Sequence, residues 1–304
     1  MQDRKPLICS IGDLVTDVIV HLDRDPQRGT DTAARIERVR GGSAANVTAA
    51  AVAAGARGRF VGQVGDDSAG ETLVADLEEN GVEALVTRRG TSGTIVVLVD
   101  SEGERSFLTD RGASLHLASV AGDALDGVDV LHVPLYSLLS GSLAEATQDL
   151  LGEAVEREIA ITLSTSSLSA LREFGREPFH TLVKNVAPAI VFANEVEARQ
   201  VLAGHPWFTH ARATVVTSGA RPARYTRPDG FDVRVGPDDV DVVDSTGAGD
   251  TFTGGFLAVW CQDRNVMTGD DAASEDAVGK WLGAAHRLAG QVLGVPGASI
   301  PSQT

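Results

Sequence analysis

Asp250 closes the run Asp241-Val-Val-Asp-Ser-Thr-Gly-Ala-Gly-Asp250, where a carboxylate follows three small residues. Val242 and Val243 give way to Asp244-Ser245-Thr246, then to Gly247-Ala248-Gly249, and a run suited to a helix extends from Asp250 to about Cys261. Small residues at a strand-to-helix junction let backbone N–H groups face outward, and a new helix leaves its first amides unpaired. Those amides and the helix dipole attract an anion, most naturally a phosphate. A carboxylate among them repels phosphate at rest. Asp250 therefore suits a general base that takes a proton from a hydroxyl as that oxygen attacks phosphorus. The plainer alternative makes Asp250 a partner of the helix dipole and Asp244, Ser245 and Thr246 capping residues. For Gly-Ala-Gly-Asp alone the two readings stand about even.

Two further stretches carry chemistry. Gly41-Gly42 before a helix lets a substrate approach the backbone, and Asn46 offers a donor and an acceptor to hydroxyls; a simple turn with Asn46 as helix cap is the alternative. Asn194 and Glu197 open another helix three residues apart, which is also capping-box spacing. His132 lies in an apolar strand and reads as a core histidine. His205 and His210 flank Pro206-Trp207-Phe208 without metal-ligand spacing, and Trp207, Trp260 and Trp281 read as packing. The sequence holds no Gly-x-Gly-x-x-Gly and no Walker motif, which disfavours a dinucleotide enzyme or a P-loop ATPase.

The elements that must position these residues are legible from periodicity. Strands are expected at 7–11, 18–22, 35–40, 60–65, 94–99, 104–108, 128–133, 159–163, 189–192 and 214–217. Helices are expected at 47–54, 69–79, 142–157, 177–185 and 195–202. Strand-helix alternation from residue 128 onward implies an α/β fold, a mostly parallel sheet with helices on both faces. The half-exposed strands of the first 110 residues do not suit that sheet. They are expected to form a small second sheet, a lid built discontinuously from about 14–40 and 92–112 on a single domain of 1–304. Ligands of such sheets sit beyond the carboxyl ends of the strands, and that rule gathers Gly12-Asp13, Gly41-Gly42, Asn194, Ser218-Gly219 and 244–250 on one side.

Composition narrows the partners. The 304 residues carry 42 acidic against 26 basic side chains, a net charge of -16, which disfavours nucleic acid and anionic membranes as partners. No apolar stretch reaches the length of a membrane span, and residues 7–11 are too short for a signal-peptide core. The two cysteines, Cys9 and Cys261, lack CxxC spacing and read as buried free thiols in a reducing compartment. The expected location is cytoplasmic. The exposed lid strands are expected to pair with a second copy as a homodimer.

Two of these stretches together carry a resemblance. Gly41-Gly-Ser-Ala-Ala-Asn-Val-Thr48, with Gly55 and Gly65 after it, resembles the first signature of the PfkB-type carbohydrate kinases, the ribokinase family. Asp244 through Asp250, continuing to Gly254-Gly255-Phe256-Leu257, resembles the second; Val61-Gly-Gln-Val-Gly-Asp66 and Asn194-Glu-Val-Glu197 fall where that family places them. The resemblance spans the chain from Gly12 to Pro301 and implies a ribokinase-like fold and ATP-dependent phosphorylation of a hydroxymethyl group on a sugar or nucleoside, with magnesium. It makes Asp250 the base and the amides of Gly247, Ala248 and Gly249 an anion hole. Asn194 and Glu197 organise magnesium and the phosphates through water, and Thr217-Ser218-Gly219 begins the nucleotide loop. Asp244, the Thr246 carbonyl and Ser299 match a potassium site of part of the family. At the sugar end Asp17 matches the residue that grips hydroxyls, with Arg105, Phe107 and Arg111 on or beside the lid as further candidates. The chain departs from the pattern at Val15, at Ser43 where ribokinases carry Lys, and at Tyr136 near a sugar-binding Glu. Ser164-Thr-Ser-Ser167 replaces an Asp-x-Asn-x-Arg stretch. Tyr136 keeps a nucleoside substrate open beside a sugar, as does a relative that binds sugar without turnover.

Overall fold

The computed structural model describes residues 4–202, 208–238, 247–263 and 273–293. The chain opens with β1 (Leu7–Ile11), β2 (Val15–Leu22), β3 (Ala34–Gly41), α1 (Ser43–Ala53), β4 (Arg57–Val64), α2 (Ser68–Glu79), β5 (Val82–Arg88), β6 (Ser92–Val99) and β7 (Arg105–Gly112). It continues through β8 (Val130–Pro134), α3 (Gly141–Glu156), β9 (Ala160–Ser164), α4 (Leu168–Phe174), α5 (Arg176–Val186), β10 (Ile190–Asn194) and α6 (Glu195–Leu202). After these come β11 (Ala213–Ser218), β12 (Arg221–Thr226), β13 (Asp232–Val235), α7 (Ala248–Trp260) and α8 (Glu275–Leu293).

Among the described residues nine strands make one sheet in the order β13-β12-β11-β10-β9-β8-β1-β4-β5, parallel except at the β11–β12–β13 edge. Alternate residues of its strands feed two cores, because side-chain direction reverses at each step. Leu7, Cys9 and Ile11 join helices α3 to α6 on one face. Ile8, Val130, Ile190 and Phe192 join α1, α7 and α8 on the other. Burying a side chain as completely as Phe256, which is 0% exposed, stabilises by about 1.5–3 kcal/mol. Chain order diverges at β1, which pairs with β4 on one side and β8 on the other; the crevice beyond its carboxyl end is where such sheets bind ligands.

A separate four-stranded sheet runs β3-β2-β6-β7. One of its faces carries Val15, Asp17 and Ile19, all buried; the opposite face, with Val18, Val20 and Ile36, is open. Among the described residues no helix is long and apolar enough to cross a membrane.

The structure departs from the periodicity reading in several places. Helix α1 begins at Ser43 rather than 47, with Gly42 as its N-cap, so Asn46 lies inside the first turn and is not the cap. β5, α4, β12, β13 and α8 were not expected. In α8 the apolar residues Val278, Trp281, Leu282, Ala285, Leu288, Ala289 and Val292 do follow helical spacing, interrupted by Gly279 and Gly283. β12 carries Pro222 and two arginines, which hide a strand from hydropathy. Trp260 and Trp281 are core residues and His132 is fully buried, where desolvation pushes its pKa down to about 3. Trp207, His205 and the strand expected around Val242 lie outside the described residues.

Candidate active site

The first turns of α1 and α7 meet at Asp250. Close approach of these helices is set by Gly254, where a Cβ would lie 2.6 Å from the Ala50 Cβ and 2.5 Å from the Val47 carbonyl. Gly247, the N-cap, takes the left-handed conformation (φ 73°) that turns the chain into α7, and it has no side chain with which to cap that end. The leading amides of the helix, at Ala248 and Gly249, thus have no intrahelical partner, and Asp250 follows them in the same first turn.

Asp250 is half-buried and held at both oxygens. Ser43 Oγ donates to Oδ1 at 2.6 Å, and Asn46 Nδ2 donates to Oδ2 at 3.2 Å. Arg40 Nη1 donates to Asn46 Oδ1 at 2.8 Å, which fixes the amide orientation, while Arg40 Nε reaches Asp76 Oδ2 at 2.6 Å. Burial pushes the Asp250 pKa up to about 6, against the pull of Ser43, Asn46 and the nearby Arg40 charge. A carboxylate of that strength takes protons near neutral pH.

Asp17 shares this neighbourhood from the small sheet. It is 8% exposed, and its Oδ1 is buried with no hydrogen-bond partner among the described residues. Such an atom calls for a donor from a ligand. Burial pushes its pKa up to about 7, the negative charge of Asp250 adding to the shift and Arg40 opposing it. Gly41 packs directly under this carboxylate, leaving no room for a side chain. Gly42 (φ 105°) passes against the Asp13 carbonyl, in a conformation open to glycine.

A second ion pair closes the floor. Arg111 Nε and Nη2 grip Asp13 at 2.9 and 2.8 Å, and Nη2 also donates to the Tyr136 carbonyl at 2.9 Å. Tyr136 follows β8 in a short 3-10 turn, and burial raises its phenol pKa, with the carboxylates of Asp250, Glu197 and Asp13 acting on it as well. Tyr136 therefore lies within electrostatic reach of all three carboxylates. Arg111 is already committed to Asp13. Arg105 is not gathered here: it pairs with Val99 and, through it, with His21, four residues along the strands from the Asp17–Ile95 row, a distance of roughly 13 Å. Phe107 is 57% exposed on the same strand.

Beside this cluster, Asn194 and Glu197 form a reciprocal cap: Glu197 N donates to Asn194 Oδ1 at 2.9 Å and Asn194 Nδ2 donates to Glu197 Oε1 at 2.6 Å. Glu197 Oε2 accepts from Thr165 Oγ1 at 2.5 Å and from the Asn194 amide at 3.0 Å. Both carboxylate oxygens are engaged, and Glu197 is 5% exposed. Three of its roughly four acceptor sites are taken, and its charge is near enough to act on Asp250. Among the described residues no three His, Cys, Asp or Glu converge on a metal. Thr217 is the register partner of Asn194, so it stands at the same carboxyl edge, followed by Ser218 and by Gly219 at φ 61°. Asp244, Thr246 and Ser299, the potassium set, lie outside the described residues.

Sequence reasoning missed Arg40 and Asp76, and saw Ser43 only as a departure from a lysine. Arg40 stands immediately before Gly41-Gly42, the last charge of an alternating strand. Asp76 carries no motif, and Thr165 stands out only as part of the Ser164–Ser167 stretch that departs from the family pattern.

The whole chain from residue 5 to 304 matches the model of the pfkB family carbohydrate kinases. It is 29% identical over 267 residues to an ATP-dependent ribose-1-phosphate kinase of Halopiger xanaduensis, covering 85% of this chain and 86% of that one. It is 28% identical over 265 residues to the ribokinase of Bacillus subtilis, covering 85% and 87%. Among solved structures, adenosine kinase from Sinorhizobium meliloti superposes with a TM-score of 0.81 at 23% identity, covering 97% of this chain and 95% of that one. That superposition shows the ribokinase-like fold. With the match running from residue 5 to the last residue, the chain belongs to the pfkB family of carbohydrate kinases.

Proposed function

We propose that this protein transfers the γ-phosphoryl group of ATP to a primary hydroxyl of a sugar, with Asp250 as general base. The carrying observation is that Asp250, held by Ser43 and Asn46, sits in the first turn of α7, whose leading amides have no intrahelical partner. The Asp250 carboxylate takes the hydroxyl proton as the sugar oxygen attacks phosphorus, and ADP leaves. The amides of Gly247, Ala248 and Gly249 receive the charge that develops on the transferring group; losing such a donor lowers a rate by about a hundredfold or more. The buried, unpartnered Asp17 Oδ1 accepts sugar hydroxyls, beside Gly41, Gly42 and Asn46. ATP use is supported by the family and by the ATP-dependent relative.

Asn194, Thr217, Ser218 and Gly219 line the nucleotide end in this reading. Magnesium fits there through water, because Glu197 already accepts three hydrogen bonds; a hydrated magnesium that keeps several waters suits such an outer role and neutralises phosphate charge. A homodimer is favoured by the open face of the small sheet, where Val18, Val20, Ile36, Val96, Leu98 and Leu108 share one side. A Leu108→Glu variant sediments as a monomer if that face is the contact.

A nucleoside substrate is the second reading, favoured by Tyr136, an aromatic residue within electrostatic reach of Asp250, Glu197 and Asp13 on which a base could stack. ATP consumption with ribose, fructose, adenosine and inosine tests both. Turnover on a sugar supports the first, turnover confined to nucleosides supports the second, and none on any would leave a non-catalytic sugar binder.

A further inference from the structure

The reverse face of the large sheet carries a groove of about 510 Å³ between α6 and the antiparallel edge β11–β13. In a chain of net charge -16, four arginines converge on it: Arg199, Arg221, Arg224 and Arg234. Register explains the convergence. Val216, Arg224 and Arg234 are successive cross-strand partners, so they project from one face. Arg199 comes from the facing side of α6. Two arginines directly opposite on neighbouring strands repel each other, and a sheet with no use for the charge gains nothing from the arrangement.

Only two carboxylates answer these four guanidiniums among the described ion pairs. Glu195 pairs with Arg199 and Arg221; Asp232 pairs with Arg224 at 2.5 Å and with Arg234 at 3.6 Å. The groove keeps an excess of positive charge over a floor of Leu202, Val216 and Pro222. Its volume falls in the range of small-ligand pockets, and planar guanidiniums match phosphate oxygens in pairs. The groove meets the nucleotide stretch only at Ser218: Thr217 has the parity of Val215, which packs in the α7–α8 core on the opposite face, whereas Val216 and Ser218 face the groove.

We infer that this groove binds a small molecule bearing two or more phosphate charges, held by Arg224 and Arg234 with Arg199 and Arg221 at its rim. The inference stands on the arginine register and does not rest on the role of Asp250.

Titration calorimetry of the full-length protein with inorganic pyrophosphate tests it. Wild type is expected to show saturable binding that weakens steeply with salt. An Arg224→Ser/Arg234→Ser variant is expected to bind at least tenfold more weakly. Asp232→Asn, which releases both arginines from their carboxylate, is expected to bind several-fold more tightly, and it decides the matter if the double variant does not fold. Equal binding by wild type and Asp232→Asn would put pyrophosphate elsewhere on the protein and overturn the assignment. Absence of saturable binding to wild type would overturn it too.

Discussion

Ser43 Oγ donates to Asp250 Oδ1 at 2.6 Å, joining the first turns of two helices 207 residues apart in sequence. The bond exists because α1 and α7 approach closely at Gly254, and it stabilises the charged form of a carboxylate that burial works to neutralise. A hydrogen bond to an ionised group is worth about 1.5–3 kcal/mol.

Ser43→Ala therefore raises the Asp250 pKa above its value of about 6. The base is active when deprotonated, so kcat climbs with pH through that value and the acid limb moves upward in the variant, by about one unit. At pH 7 that shift lowers kcat by about twofold. A pH–rate profile of both proteins measures it.

Arg40 acts on Asp250 through Asn46, as a positioning residue. Arg40→Met frees the Asn46 amide to rotate and removes a positive charge that lowers the pKa of both Asp17 and Asp250. The expected result is a kcat at least about tenfold lower with KM for ATP unchanged, and an acid limb shifted upward. Arg40→Lys restores the pH limb in part while leaving kcat low, since a lysine cannot hold Asp76 and Asn46 at once in the same geometry.

Asp17→Asn weakens the grip on hydroxyls, raising KM for the sugar by about ten- to a hundredfold with a smaller effect on kcat. The same change stabilises the fold in alkali. Folded Asp17 keeps its proton up to about pH 7, whereas the unfolded chain loses it above the ordinary aspartate value of 3.8. The folded state thus binds more protons between those values, and stability falls as pH rises through them. Asparagine has no such penalty. Thermal unfolding should show a gain of roughly 2 °C or more at pH 8 that vanishes toward pH 4.

The Asp13–Arg111 pair lies buried under the cleft, with side chains about a tenth exposed (10% and 12%). Arg111→Ala strands the Asp13 charge and should destabilise by about 3–5 kcal/mol, while an Asp13→Asn/Arg111→Ala double variant recovers part of it. Urea unfolding midpoints decide between these outcomes.

Much of this was legible in residue order. Glycine, alanine and the two aspartates of 244–250 announce a turn into a helix with bare amides, and strand-helix alternation from residue 128 announces the parallel sheet. The alternating charges of 35–40 marked a half-exposed strand, and β3 is one. What stayed hidden depends on long-range packing. Ser43 and Arg40 become part of the cluster only when α7 lies against α1 and β3 passes α2, contacts between residues far apart in the chain. Likewise Thr165 meets Glu197 because β9 and β10 are neighbours in the sheet. Arg105 shows the converse, a charge on the expected strand that register carries away from the cleft.

The central claim is that the carboxylate of residue 250 takes the acceptor proton. Asp250→Asn keeps the size of the side chain and removes that capacity. Measured by single-turnover phosphorylation of the best substrate from the panel, with ATP binding checked by calorimetry, the variant should bind ATP as wild type does and transfer phosphate at least about a thousandfold more slowly. Transfer at the wild-type rate with ATP bound would contradict the account.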